Sequence, residues 1–343
     1  MGKAGAVRKV AAAAAVGGGG LSIMGASLYG VLRAEALMAR RQIGNADGEP
    51  PNATGWYGHG RPGPAIRMAL LGDSSMAGYG VDTVRDTPGA HLASGLAEGA
   101  DRRVYVRSLA FVGAQSRDLA AQVDKAVTLE PHVAVILVGV NDITHTRLLS
   151  ESVRELAQAV RRLEDAGTEV VVGTCPDLGT VEPIAPPLRQ LARAWSRRLA
   201  AAQTVAVVNS GGRTVSLSSV LGPEFAATPG VFFGPDRFHP SAAGYSGLAS
   251  VLLPSVLAAV GVIPFEDMLP EASRGEAILP ITRAAVQAAK TPGTEIDGTA
   301  AGEASARGVR GRWVQLRRRR RQPESVVEAP VGTEPVPSDA PAG

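Results

Sequence analysis

The tetrapeptide Gly72-Asp73-Ser74-Ser75 follows directly on the apolar run Ile66-Arg67-Met68-Ala69-Leu70-Leu71. The run reads as a buried strand, and open α/β sheets place their ligands outside the carboxyl ends of their strands. A serine in such a turn is a candidate nucleophile, but its hydroxyl is weak until a base takes the proton. Five histidines are available. His59 lies in a Gly/Pro-rich stretch, His91 in a helical pattern, His132 before an apolar run and His145 after one. His239 differs in kind. It sits in Asp236-Arg237-Phe238-His239-Pro240, ahead of Ser241 and a helical pattern. Pro240 pushes the residue before it into an extended conformation, so the imidazole stands on a loop at the lip of a helix. Asp236, three residues earlier, is close enough to accept an imidazole N–H and fix the tautomer that leaves the other nitrogen basic. Taken alone, Asp-x-x-His also reads as an ordinary surface loop.

Acyl transfer needs donors for the oxyanion as well. The third apolar run ends Val138-Gly139-Val140-Asn141-Asp142, and an Asn there can turn a side-chain N–H into the crevice. The second ends Leu109-Ala110-Phe111-Val112-Gly113-Ala114, where a glycine leaves its backbone N–H unobstructed. Both also read as plain turns. Asp73 and Asp142 read as structural carboxylates, Asp73 accepting N–H groups of its own turn.

The order of these blocks is more specific than any one of them. Gly-Asp-Ser after strand one, Gly after strand two, Gly-x-Asn-Asp after strand three and Asp-x-x-His-Pro before the last helix resemble the SGNH hydrolases, also called GDSL esterases and lipases. The resemblance spans about residues 65–263. It implies Ser74 as nucleophile and backbone oxyanion donor, Gly113 and Asn141 as further donors, and His239 as general base and then acid, oriented by Asp236. It implies a flavodoxin-like α/β/α sandwich with a five-stranded parallel sheet in the order 2-1-3-4-5. Ser75 stands where the name-giving motif has Leu, and Ser108 where many members carry Asn. Gly72-Asp73-Ser74-Ser75-Met76 is not the Gly-x-Ser-x-Gly elbow of α/β-hydrolases. The expected activity is hydrolysis of short-chain acyl or acetyl esters through an acyl-enzyme, with no cofactor or metal. The substrate would be a small-molecule, lipid or glycan ester. An acyltransferase acting on cell-envelope glycans or lipids is the nearest alternative. A non-catalytic, membrane-associated binding module is the alternative of another class. A nucleotide or flavin binder would need a Gly-rich phosphate turn after strand one, which this chain lacks.

Elements to position these residues are legible. Strands are expected at 66–71, 104–110, 133–139, 169–174 and 204–209, each short and rich in Val, Leu and Ile. Helical patterns lie between them. One carries Leu119, Ala120, Val123 and Val127 on a face. Another opens at a capping-box spacing, Ser152 to Glu155, and stops at Gly167. Such alternation means a parallel sheet covered on both sides. Pro176–Pro187 and Phe225–Phe238 are placed to rim a cleft, with Phe232 and Phe233 as candidates for an acyl pocket or for core.

The flanks read differently. Val10 to Leu32 is 23 residues without a charge, behind Lys3, Arg8 and Lys9. That is long enough to cross a hydrocarbon core of about 30 Å. The segment 1–44 is therefore expected to be a signal anchor, with the catalytic domain outside the cytoplasm, or a cleaved signal peptide that yields a secreted protein. Residues 45–64 read as a Gly/Pro linker and 264–343 as a low-complexity tail, with one short helix around 278–289. The segment Arg307–Arg321 holds eight arginines, no acid and Trp313. It could contact an anionic membrane surface, bind nucleic acid non-specifically or simply be solvated. A net charge of +3 over 343 residues argues against specific nucleic-acid binding. Cys175, the single cysteine, excludes an intramolecular disulfide and reads as a small buried hydrophobe.

Overall fold

β2 (Ile66–Gly72) is the strand around which the others are arranged. This computed structural model describes residues 30–38, 41, 48–217, 229–262, 277–291, 293–298, 307–308, 311–318 and 325–332. In it β2 pairs in parallel with β3 (Val104–Ser108) on one side and β4 (Val133–Leu137) on the other. β5 (Glu169–Gly173) lies parallel beyond β4, and β6 (Arg213–Val215) beyond β5. The chain leaves β2 for one side and returns on the other, so a crevice opens at the carboxyl end of β2.

The helices in chain order are α1 (Ser74–Ala77), α2 (Pro88–Ala100), α3 (Leu119–Val127), α4 (Val140–Thr144), α5 (Leu149–Asp165), α6 (Leu188–Asn209), α7 (Pro229–Phe232) and α8 (Ala242–Ala259). Side chains alternate along β2. Met68 and Leu70 join a core with Leu92 and Leu96 of α2 and Leu252 and Val256 of α8. Ala69 and Leu71 join a second core with Leu119 of α3, Leu156 of α5 and Val207 of α6. Both faces are covered, which is why the run is apolar from Met68 to Leu71. α2 and α8 approach closely because Gly95 and Gly99 leave room; a Cβ at either would meet Leu253 or Leu257. Among the described residues α8 alone is long and apolar enough to cross a membrane, and most of it is buried in this core.

The strand expected at 204–209 does not exist. Thr204 to Asn209 is the last part of α6, and the fifth parallel strand is the three-residue β6. The run Thr-Val-Ala-Val-Val has strand propensity, but its helical spacing sends Val207 and Val208 into two different cores, and packing overrides propensity. The capping box at Ser152 is also overturned. α5 starts at Leu149, and Ser152 is buried inside it.

The sheet is mixed rather than purely parallel. The expected linker contributes β1 (Gly55–Tyr57), antiparallel to β3, with Ala53, Trp56 and Tyr57 buried. The expected tail contributes β7 (Ala277–Pro280), α9 (Ile281–Ala288), β8 (Thr294–Asp297), β9 (Arg307–Gly308) and β10 (Gly311–Arg318). β8 pairs antiparallel with β6, and the sheet continues through β10 to β7. Val314 and Leu316 of β10 are buried with Ile281 and Ala284 of α9 and Val208 of α6. The arginines around them hid this period of two. Residues 311–318 of the arginine-rich segment thus form β10, an interior strand of the sheet. Glu295 of β8 is fully buried, 3.5 Å from Arg213 of β6, and accepts Ser255 Oγ of α8 at 2.7 Å. The apolar stretch Val10–Leu32 lies outside the described residues except for 30–32, which with 33–38 are helical.

Two buried carboxylates shape the strand ends. Asp142 accepts Ser116 N at 3.1 Å, Ser116 Oγ at 3.0 Å and Ser152 Oγ at 2.8 Å, with Arg147 at 3.7 Å. It ties the segment after β3 to the one after β4. Asp73 caps α1 and accepts Ser75 N at 3.0 Å. Burial pushes its carboxyl up to about 6. Both acids are therefore structural, as the sequence suggests.

Two outcomes are expected. Asp142→Ala leaves Ser116 N, Ser116 Oγ and Ser152 Oγ without their carboxylate in a closed space, while Arg147 keeps Glu155, and should cost about 3 kcal/mol in urea unfolding; a loss under about 0.5 kcal/mol would contradict that role. Asp73 is harder to ionise in the folded chain than in the unfolded one. Its penalty is absent below the ordinary carboxylate value near 4, grows as pH rises to about 6 and is complete above that. Asp73→Asn keeps the cap and removes the charge. It should gain up to about 3 kcal/mol over wild type above pH 7, with the gain vanishing near pH 4. A difference that stays flat across that range would rule the burial effect out.

Candidate active site

The chain must turn sharply as it leaves β2. Gly72 has φ +130°, and any Cβ there would collide with the Leu137 carbonyl of β4. Asp73 N donates to that same carbonyl at 3.0 Å. Ser74 therefore opens α1 beside the end of β4, nine-tenths buried at 8% exposure. Its Oγ lies 3.1 Å from His239 Nε2, contributed from 165 residues further on.

His239 is held by a tight local loop. Gly234 N donates to His239 O at 2.8 Å, and Arg237 N to Gly234 O at 2.9 Å. Arg237 takes the left-handed conformation, φ +53°. That bend lets Asp236 Oδ1 accept both Phe238 N and His239 N at 3.0 Å. Asp236 Oδ2 lies 2.6 Å from His239 Nδ1. Burial pushes the Asp236 carboxyl up, but the hydrogen bonds from His239 and Phe238 outweigh it and hold the acid below its ordinary value. An ionised Asp236 accepts a hydrogen bond from Nδ1–H and so keeps the proton there, which leaves the lone pair of Nε2 facing Ser74. Tyr79 and Phe238 stand edge-on to the imidazole at 4.6 and 4.9 Å. Tyr245 OH anchors Tyr79 through its carbonyl at 2.6 Å.

The two expected oxyanion residues follow β3 and β4, the strands on either side of β2. Gly113 has φ +84° and no atom within 4 Å of a Cβ position, so its backbone faces open space. None of the hydrogen bonds among the described residues uses its N–H. Asn141 lies in α4 and donates one amide hydrogen to Ala114 O at 3.0 Å, leaving the second free for a ligand. Ser74, His239 and Asp236 thus form one hydrogen-bonded row, and Gly113 and Asn141 are joined to each other through Ala114. Phe233 is core, whereas Cys175 is fully buried and its thiol is pushed well up by burial.

Sequence patterns alone do not reveal the supports of this row. Gln122 of α3 receives Gly72 N at 2.7 Å and returns a bond to Gly72 O at 3.0 Å. Gln203 of α6 receives Cys175 N at 2.8 Å and donates to Val138 O at 2.9 Å. Each glutamine amide substitutes for a strand where the sheet parts to make room for the site. Their one signal is a polar residue on an otherwise apolar helix face.

Comparison with known proteins places the chain in a family. Residues 70–246 match the GDSL-like Lipase/Acylhydrolase family. A GDSL-like esterase of Mycobacterium tuberculosis is 40% identical over 255 residues, 71% of this chain and 80% of that protein. An acetylxylan esterase from Geobacillus stearothermophilus overlaps with a TM-score of 0.43 at 16% identity, over 59% of this chain and 98% of its own. The extent of the family match, together with the 40% relative, means that this chain belongs to the GDSL-like lipase/acylhydrolase family, the SGNH hydrolases.

Proposed function

We propose that the protein is a serine esterase that hydrolyses carboxylic esters of short acyl or acetyl groups through an acyl-enzyme. The observation that carries this reading is the row Ser74 Oγ–His239 Nε2–His239 Nδ1–Asp236, at 3.1 and 2.6 Å. In the first half-reaction Ser74 Oγ bonds to the ester carbonyl carbon while His239 Nε2 takes the hydroxyl proton. The C–O bond to the alcohol then breaks, and the alcohol leaves with that proton. In the second half a water repeats the attack, His239 again moving the proton, and the acid departs from Ser74. Asp236 stays ionised throughout and stabilises the imidazolium that forms twice in the cycle.

Negative charge develops on the carbonyl oxygen in both halves. Ser74 N, Gly113 N and the second amide hydrogen of Asn141 are the donors assigned to it. The Ser74 N–H opens a helix and so has no carbonyl one turn back to take it. Gly113 is the residue type its position demands, because φ +84° is strained for any other.

A fluorophosphonate probe should label wild type at Ser74 and should not label Ser74→Ala. Turnover of p-nitrophenyl esters from acetate to octanoate should fall at least about 10³-fold in Ser74→Ala and His239→Ala. Equal labelling of wild type and Ser74→Ala would end the reading. Asn141→Ala should lower kcat by about 10²–10³ and change KM little. A loss confined to KM would instead make Asn141 a ground-state binding residue.

A further inference from the structure

Ser74 and His239 belong to the wall of a cavity of about 60 Å³. Its depth is apolar. Leu137 of β4 and Leu217, just past β6, meet over Gly173, where a Cβ would collide with both. Leu248 of α8 and Leu178 and Val181 of the segment after β5 close the sides. That segment is fixed by Asp177, whose carboxylate accepts Gly179 N at 2.8 Å and Arg197 Nε at 2.9 Å. The cavity is thus walled by the ends of β4 and β5, Leu217 two residues past β6, and α8.

We propose that this cavity is the acyl site and that it selects uncharged acyl chains of about four to six carbons. The assignment rests on the acyl-enzyme reading of Ser74. Each water-sized group needs roughly 10–15 Å³ of such space, so the cavity takes about four beyond the carbonyl carbon. The acyl group is also the part that belongs there. It stays on Ser74 while the alcohol leaves and water enters, so the alcohol needs the open side. That side is the loop after β3, where Phe111 is 46% exposed and Gly113 faces empty space. Asp73 and Asp177 line the cavity too. A terminal carboxylate on the acyl chain would be stripped of water among leucines, whereas a methyl end packs against them.

The test is kcat/KM of the full-length protein across p-nitrophenyl esters from acetate to decanoate, with fluorophosphonate labelling of Ser74 as the control for an assembled site. Wild type should gain about fourfold per added methylene up to four to six carbons and fall tenfold or more by decanoate. Leu248→Phe fills the cavity and should cut the hexanoate-to-acetate ratio by about tenfold or more. Leu217→Ala enlarges it and should move the optimum to longer chains. A hemisuccinate ester should react at least about 10²-fold more slowly than the butanoate. If both variants label at Ser74 and the acyl profile stays as in wild type, the cavity is not the acyl site. The assignment fails equally if the variants shift selectivity among alkyl acetates of growing alcohol length instead. If wild type itself is not labelled at Ser74, it is the esterase reading that fails, not the assignment of the cavity.

Discussion

The site depends on a sheet that comes apart at one edge without leaving its backbone groups unpaired. β2, β4 and β5 hold register as far as Gly72, Leu137 and Gly173 and then diverge. A buried N–H or C=O left without a partner there would be costly. Gln122 and Gln203 take both roles at Gly72 and bridge Val138 to Cys175. Asp142 does the same for Ser116 on the neighbouring loops. With those groups satisfied, Ser74 can stand at a break in the sheet and remain nearly as buried as the core.

What sequence revealed and what it hid follow from the range of the interactions. Ser74 could be found because an apolar run of fixed length ends one residue before Gly72. His239 and Asp236 could be found because their relation is local, three residues and a proline. Gly113 was legible only through the order of blocks, since its value lies in a positive φ that composition does not announce. Strand–helix alternation announced a parallel sheet, whereas its strand order came only with the family resemblance.

The missed elements are those whose partners are far away or whose patterns are diluted. β6 is three residues long, too short for a period, and the β-branched run before it is helix. β10 alternates correctly, but arginines surround Val314 and Leu316, and its neighbours β7 and β8 lie earlier in a Pro/Gly-rich stretch. β1 looked like a linker because a three-residue strand with Trp56 and Tyr57 is interrupted by glycines. Long-range pairing supplied the structure, parallel to β5 for β6 and antiparallel for β1, β7, β8 and β10, and propensity had little to say.

The loop from Gly234 to Pro240 has one more implication. Asp236, Arg237, Phe238 and His239 settle the acid–imidazole geometry among themselves, through bonds spanning no more than five residues. The general base is therefore a prefabricated cassette, closed by short loops of low entropy. Folding has to solve a single long-range alignment, the seating of that cassette against Ser74 across 165 residues of chain. Loop insertions between the two leave this pairing intact as long as the strands, Gly113 and Asn141 keep their places and α8 still docks on α2. The machinery is modular along the chain even though it is contiguous in space.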